Sequence, residues 1–390
     1  MKPLQLVTGL LFLFAIEIMR VYFIMPFPGS QQSDTISIAY WIARNIIWLR
    51  IIALLLILFP AISLYKNGRP WAKVVVSIFL VLYAVVFFFF NFRFEADKMF
   101  YQPGQKTFSS AGENKIDGDK LVIGVAIDGE AKAYPIQLIG YHHQVRDSIG
   151  NIPVMITYCT VCRTGRAFSP AVNGKTEEFR LVGMDHFNAM FEDETTKSWW
   201  QQATGVSIAG PLKGTALTEL SSQQASLNTW LKQYPNSLVM QPDKMFSEKY
   251  EQLAKYDKGN GKSSLTKRDS ASWMPKSWVI GITHDKTSKA YDWNELVKNR
   301  IISDSLPGLP MVIILENDDA SFHVFDRTLK GKVLSFKKSA PDQLTDNEGS
   351  KWNLSGESID GISRGEKLKQ VQSYQEFWHS WETFHNKTLR

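Results

Sequence analysis

Three long stretches of apolar residues open the chain, and after them the apolar positions come in short runs separated by turn-forming pairs. The long stretches lie at residues 4–25, 40–65 and 74–92. Each can span the roughly 30 Å hydrocarbon core of a bilayer as a helix. The first carries Glu17 and Arg20 and lacks a small-residue cleavage site after a short apolar core, so it predicts a membrane helix and not a signal peptide. Residues 1–92 therefore predict a three-helix transmembrane region embedded in the lipid bilayer.

Loop charge orients these helices. The loop between the second and third holds Lys66, Arg69 and Lys73, whereas the loop between the first and second holds only Asp34. Positive loops stay inside, which predicts a multi-pass protein of the inner (cytoplasmic) membrane. Its N-terminus is then cytoplasmic and its C-terminal domains periplasmic or otherwise extracytoplasmic. Glu17 and Arg50 fall at similar depths, and they predict an intramembrane charge pair tying the first two helices together.

Beyond residue 92 the short runs are rich in Val, Ile and Tyr and are broken by pairs such as Asp128-Gly129 and Asn173-Gly174, which predicts strands with a few short helices. A repeat is visible at a constant spacing. Val122-Ile123-Gly124 recurs 157 positions later as Val279-Ile280-Gly281, Lys132-Ala133-Tyr134 as Lys289-Ala290-Tyr291, and Asp147-Ser148 as Asp304-Ser305. The expected fold is thus an N-terminal three-helix transmembrane region followed by a β-rich α+β extracytoplasmic region built from two tandem related repeats. The first repeat covers residues 93–240, a polar connecting arm over the surface covers 241–276, and a second, degenerate repeat covers 277–390.

The repeat locates the chemistry. The only two cysteines, Cys159 and Cys162, stand in CxxC spacing in the first repeat, where the second has Glu316 and Asp319. His142 and His143 likewise face Asn299 and Arg300. Residues 316–319 have turn composition, so the cysteines are expected on a turn between strands, and not at the start of a helix as in thioredoxin-like proteins. Two thiolates on such a turn resemble a metal knuckle, and Arg163 and Arg166 would favour the thiolate form. Because two thiolates do not close a metal site, the histidines of the same repeat, His142, His143 and His186, become candidate ligands. On a strand His142 and His143 would face opposite ways. Met184 lies beside His186, and Met, His and Cys together suit a soft ion such as Cu(I). Trp200 and Gln202 are candidates to line a pocket, although Trp352 opposite Trp200 favours a core role. Asp147, shared as Asp304, reads as a structural hydrogen-bond partner.

The runs VIGV, EAKAYP, HHQVRDSIGNIPVMITYCTVCRTGRAF and WWQQATGVSIAGPL, within residues 117–240, resemble a bacterial family of uncharacterised membrane-anchored proteins catalogued as domain of unknown function 3179. The resemblance implies site roles for Cys159, Cys162, His142, Trp200, Gln202, Thr204, Gly205, Gly210 and Pro211. Two departures stand out: Thr160-Val161 replaces Pro-Leu, and Arg163 stands where Gly is usual, a residue that a tight knuckle uses for positive φ.

Three readings follow. The first is binding of one copper or zinc ion through Cys159, Cys162 and a histidine, His142 being favoured by the resemblance. The second is an envelope thiol-disulfide oxidoreductase, and the third a non-enzymatic envelope module that binds an unknown envelope partner or small ligand. No phosphate loop, nucleophile elbow, haem attachment motif or zinc-protease motif occurs, so neither nucleotide nor haem is expected. The net charge of +6 is spread without a cluster, which argues against nucleic acid as a partner.

Overall fold

The computed structural model describes residues 2–390. Three helices are long and apolar enough to cross a membrane: α1 (Lys2–Tyr22), α2 (Ile36–Asn67) and α3 (Pro70–Phe92). A β-rich region follows them. The chain divides into two compact units. One comprises the chain up to Tyr101 together with Glu177–Gln201 and Val206–Ala216, and the other comprises Gln102–Thr176, Gln202–Gly205 and Leu217–Arg390.

In the first unit α1 and α2 meet through Leu6, Leu10, Leu13 and Ile16 on one side and Ala53 and Ile57 on the other. The expected charge pair is present and larger than two residues. Glu17 is fully buried and takes the Arg50 guanidinium at 2.6 and 2.8 Å, while Tyr83 and Asn91 of α3 donate to its two oxygens. Arg20 reaches Asn91, the Phe90 carbonyl and Glu95. Glu17, Arg20 and Arg50 thus each have a partner, and the network joins all three helices.

With 32 residues at about 1.5 Å each, α2 is longer than a bilayer core is thick. Its first turns pack instead on a four-stranded antiparallel sheet built from Phe179–Asp185, Asn188–Asp193, Trp199–Gln201 and Ser207–Ala209. Tyr40 meets Trp199 edge-on at 5.1 Å, and Ala39 fills the gap beside Val182 and Met190.

In the second unit one succession of elements appears twice. Strands Leu121–Ile127 and Glu130–Pro135, helix Ile136–His142 and strands Gln144–Ile149, Ile152–Cys159 and Thr164–Phe168 come first. Strands Trp278–His284 and Thr287–Asp292, helix Trp293–Asn299 and strands Ile301–Leu306, Leu309–Leu315 and Phe322–Asp326 follow. Both helices end on a left-handed residue, His143 with φ 60° and Arg300 with φ 66°. Asp147 accepts from Tyr134 and Lys132, and Asp304 from Tyr291 and Lys289, all at 2.8–2.9 Å, the structural role that their shared presence predicts. Two glycines matter for a shared packing reason. A Cβ on Gly124 would come within 2.3 Å of the Trp230 ring and one on Gly281 within 2.1 Å of the Trp381 ring, so only glycine lets helices Leu227–Gln233 and Trp378–Phe384 lie on their strands.

Residues 241–276 correct the expectation of a surface arm. This segment sends Phe246, Tyr250, Tyr256 and Asp257 into the interior, because its aromatic residues have apolar surface to cover on the cysteine-bearing half. Asp243 caps its first turn by accepting from the Met245 amide.

Candidate functional site

Strands Ile152–Cys159 and Thr164–Phe168 pair antiparallel with Cys159 opposite Thr164, which leaves Thr160–Arg163 as the connecting turn. Cys162 thus lies on the expected turn between strands, and Cys159 is the last residue of the strand before it. Arg163 closes the turn with φ 56°, the left-handed conformation for which the family's usual glycine is suited. Both sulfurs are fully buried thiols.

Burial pushes the Cys162 thiol well above its usual range. A hydrogen bond with Cys159 and that neighbour's charge add to this, while the Ser380 hydroxyl and the Lys276 ammonium act in the opposite direction. Lys276 is itself lowered by burial, which the two cysteines partly offset. Its ammonium donates to the Val161 carbonyl at 2.6 Å and to His379 Nε2 at 2.9 Å. Burial, then Lys276, holds His379 down to about 4, so its imidazole is neutral at pH 7; Nε2 lies 2.9 Å from the Lys276 ammonium and 3.2 Å from the Val161 carbonyl. Lys276, His379 and Ser380 come from residues more than a hundred positions beyond the cysteines, and no motif marks them.

The turn is gripped from several sides. The Phe377 amide donates to the Cys162 carbonyl at 2.9 Å, and Thr164 Oγ1 meets Ser380 Oγ at 3.3 Å. Tyr256 donates to the Thr160 carbonyl. Gln202 reaches Thr157 Oγ1 and the Thr164 carbonyl, both at 3.0 Å, so it supports the strand pair under the cysteines. Arg163 is buried, donates to Gln375 Oε1 at 2.8 Å and lies over the Trp278 ring. Arg166 forms a buried ion pair with Glu376 at 2.5 Å. Both arginines are thus committed to holding the turn against the second half, and Lys276 is the cation held on the turn's Val161 carbonyl.

The candidate histidines have the following partners. His142 ends a helix and does not lie on a strand; its Nε2 meets the Tyr250 hydroxyl at 2.7 Å inside a ring of Tyr141, Phe246 and Tyr250. His143 is the left-handed cap of that helix, and its Nδ1 lies 2.9 Å from the Tyr158 carbonyl. The alternation of two strand residues therefore does not apply, since the helix terminates between them. Burial drives His143 down to about 4. His186 and Met184 belong to the first unit, where His186 pairs with Asp185 at 2.7 Å and is raised chiefly by that hydrogen bond. Trp200 donates to buried Asp193 as a core residue, as its counterpart Trp352 does to Asp346. Among the described residues no group of three or more His, Cys, Asp and Glu side chains comes together as a metal site.

Residues 103–388 match a family described as protein of unknown function (DUF3179). The chain belongs to the DUF3179 family. No curated protein and no solved structure matches it. The DUF3179 region takes in the cysteine turn and also helix Trp378–Phe384, which supplies His379 and Ser380. It extends well past the residues 117–240 on which the resemblance rests, so both halves of the second unit are family structure.

Proposed function

We propose that this DUF3179 protein is a membrane-anchored extracytoplasmic module of two related copies, the first of which holds one Cu(I) ion between Cys159 and Cys162. The basic loop between α2 and α3 supports a cytoplasmic N-terminus and exported DUF3179 region. The recurring succession of elements, the paired Asp147 and Asp304 contacts and the two Trp-on-Gly contacts support duplication.

The observation that carries the reading is the Lys276 ammonium held on the Val161 carbonyl, between two buried thiols. Two thiolates and one monovalent ion leave a single negative charge, which Lys276 neutralises; a buried site needs such compensation. Soft thiolates select Cu(I), whereas zinc seeks four ligands, and among the described residues no group of three or more His, Cys, Asp and Glu side chains offers them. The contact between the sulfurs also favours a second reading, a reversible disulfide formed by loss of two electrons and two protons to an external oxidant. Full burial and a raised Cys162 thiol speak against an attacking thiolate of the oxidoreductase kind.

The test is a Cu(I) competition titration of the reduced, detergent-solubilised full-length protein against a chromophoric chelator. One ion per chain is expected, absent in Cys159→Ser and Cys162→Ser and at least about tenfold weaker in Lys276→Met. Copper uptake that survives both cysteine substitutions, or none in the parent, overturns the reading.

A further inference from the structure

A groove of about 370 Å³ opens among the three apolar helices at the end where α2 turns into α3. Its walls include Leu6 and Val7 of α1, Pro60 and Leu64 of α2, and Trp71 and Val75 of α3. Two small residues leave the space, Ser63 on α2 and Ala72 on α3. Val7, Trp71 and Val75 are 53%, 64% and 40% exposed, so this apolar lining is open to whatever surrounds the helices. From Pro60 to Gly68 the groove follows about 12 Å of α2. A partner helix crossing the bilayer would use a face about 30 Å long. A groove confined to one end of the helices suits an acyl chain instead.

Charge decides which lipid. Three cations stand next to lining residues along the chain: Lys66 beside Asn67, Arg69 beside Gly68 and Lys73 beside Ala72. Lys66 and Arg69 are exposed and Lys73 is half-buried. No Asp or Glu occurs before Glu17 or within residues 51–94, so this end of the helices holds no acidic side chain to pair with them. Arg20 and Arg50, by contrast, are paired inside the bundle with Glu95 and Glu17. Trp71 lies in the same turn, an amphipathic ring of the kind that sits at headgroup level. Basic pockets between membrane helices on the cytoplasmic side attract anionic headgroups, and a basic loop above an apolar slot matches both ends of one phospholipid.

We infer that this groove holds one anionic phospholipid of the bilayer, an acyl chain lying against Leu6, Leu64 and Val75 and the phosphate answering the charge of Lys66, Arg69 and Lys73. The inference rests on the membrane-anchored part of the proposed function and not on copper. Native mass spectrometry of the full-length protein released from detergent, titrated with phosphatidylglycerol and with phosphatidylethanolamine, tests it. The first phosphatidylglycerol binds at least about tenfold more tightly than either phosphatidylethanolamine or a second phosphatidylglycerol. Lys66→Gln with Arg69→Gln weakens that first binding at least about tenfold, and Lys73 keeps the loop positive. Ala72→Phe and Ser63→Leu fill the slot from opposite helices and weaken it at least about fivefold with every cation in place; should one fail to fold, the other carries the test. Equal affinity for the two lipids, an even ladder of adducts from an annular coat, or binding unchanged in any folded variant overturns the inference. So does a chain dimer that Ala72→Phe abolishes, which would assign the groove to a second copy. Recovery of the parent protein in the membrane fraction tests the anchoring separately, and Cu(I) uptake is unaltered in all of these variants.

Discussion

Replacing Arg166 with Met removes one partner of the buried ion pair that joins the strand after the cysteine turn to strand Ser373–Phe377. Arg166 and Glu376 are both buried, with 2.5 Å between Nη2 and Oε1. Arg166 also donates to the Ala203 and Gly165 carbonyls and lies 3.3 Å over the Tyr374 ring. After the substitution Glu376 retains the Ser380 hydroxyl, which donates to Oε2. Stranding a buried charge in this way costs about 3–5 kcal/mol. For a unit of this size, about 2–4 °C is lost per kcal/mol, so the unfolding midpoint falls by about 10 °C. Intrinsic tryptophan fluorescence of the full-length protein in detergent reads it. Arg166→Met with Glu376→Leu removes both charges and recovers at least half of the loss, because an apolar replacement of a buried pair is often close to neutral. A single-variant shift under about 2 °C, or a double variant less stable than the single, refutes the assignment of Arg166 as a clamp.

Three further outcomes follow from the packing. Gly124→Ala and Gly281→Ala each drive a methyl into a tryptophan ring and cost about 1–3 kcal/mol in chemical denaturation, to similar extents if the halves are related. Arg163→Gly relieves a left-handed residue worth about 1 kcal/mol but loses a buried charged hydrogen bond worth about 1.5–3 kcal/mol and ring contact with Trp278, so the midpoint falls. His143, held down to about 4, is protonated first in the unfolded chain as pH drops below about 6.5. Its contribution is complete above that pH and is lost as pH falls toward 4, about 2 kcal/mol between pH 6.5 and 5, and His143→Asn flattens this loss in pH-dependent denaturation.

Much of this architecture is legible in the chain because it rests on local patterns. The three spans, the Glu17–Arg50 pair and the turn under the cysteines each follow from composition, spacing or the offset of the repeat. The histidines are different. A strand and the end of a short helix look alike at His142-His143, and the left-handed cap at His143 carries no sequence mark because the residue there is not glycine. Lys276, His379 and Ser380 reach Cys162 only through tertiary packing, at separations where neither period nor spacing speaks. The buried aromatic residues at 246, 250 and 256 were visible within the polar arm, and their spacing was the one available hint that this segment goes inward.

The central claim is a two-sulfur site for a monovalent ion. X-ray absorption at the copper edge, on the full-length protein loaded with one Cu(I) under reducing conditions, addresses it directly. Two sulfur neighbours and no nitrogen are predicted, with the signal gone in the Cys159→Ser, Cys162→Ser double variant. Nitrogen in the first shell, four neighbours, or a spectrum unchanged in that variant would contradict it.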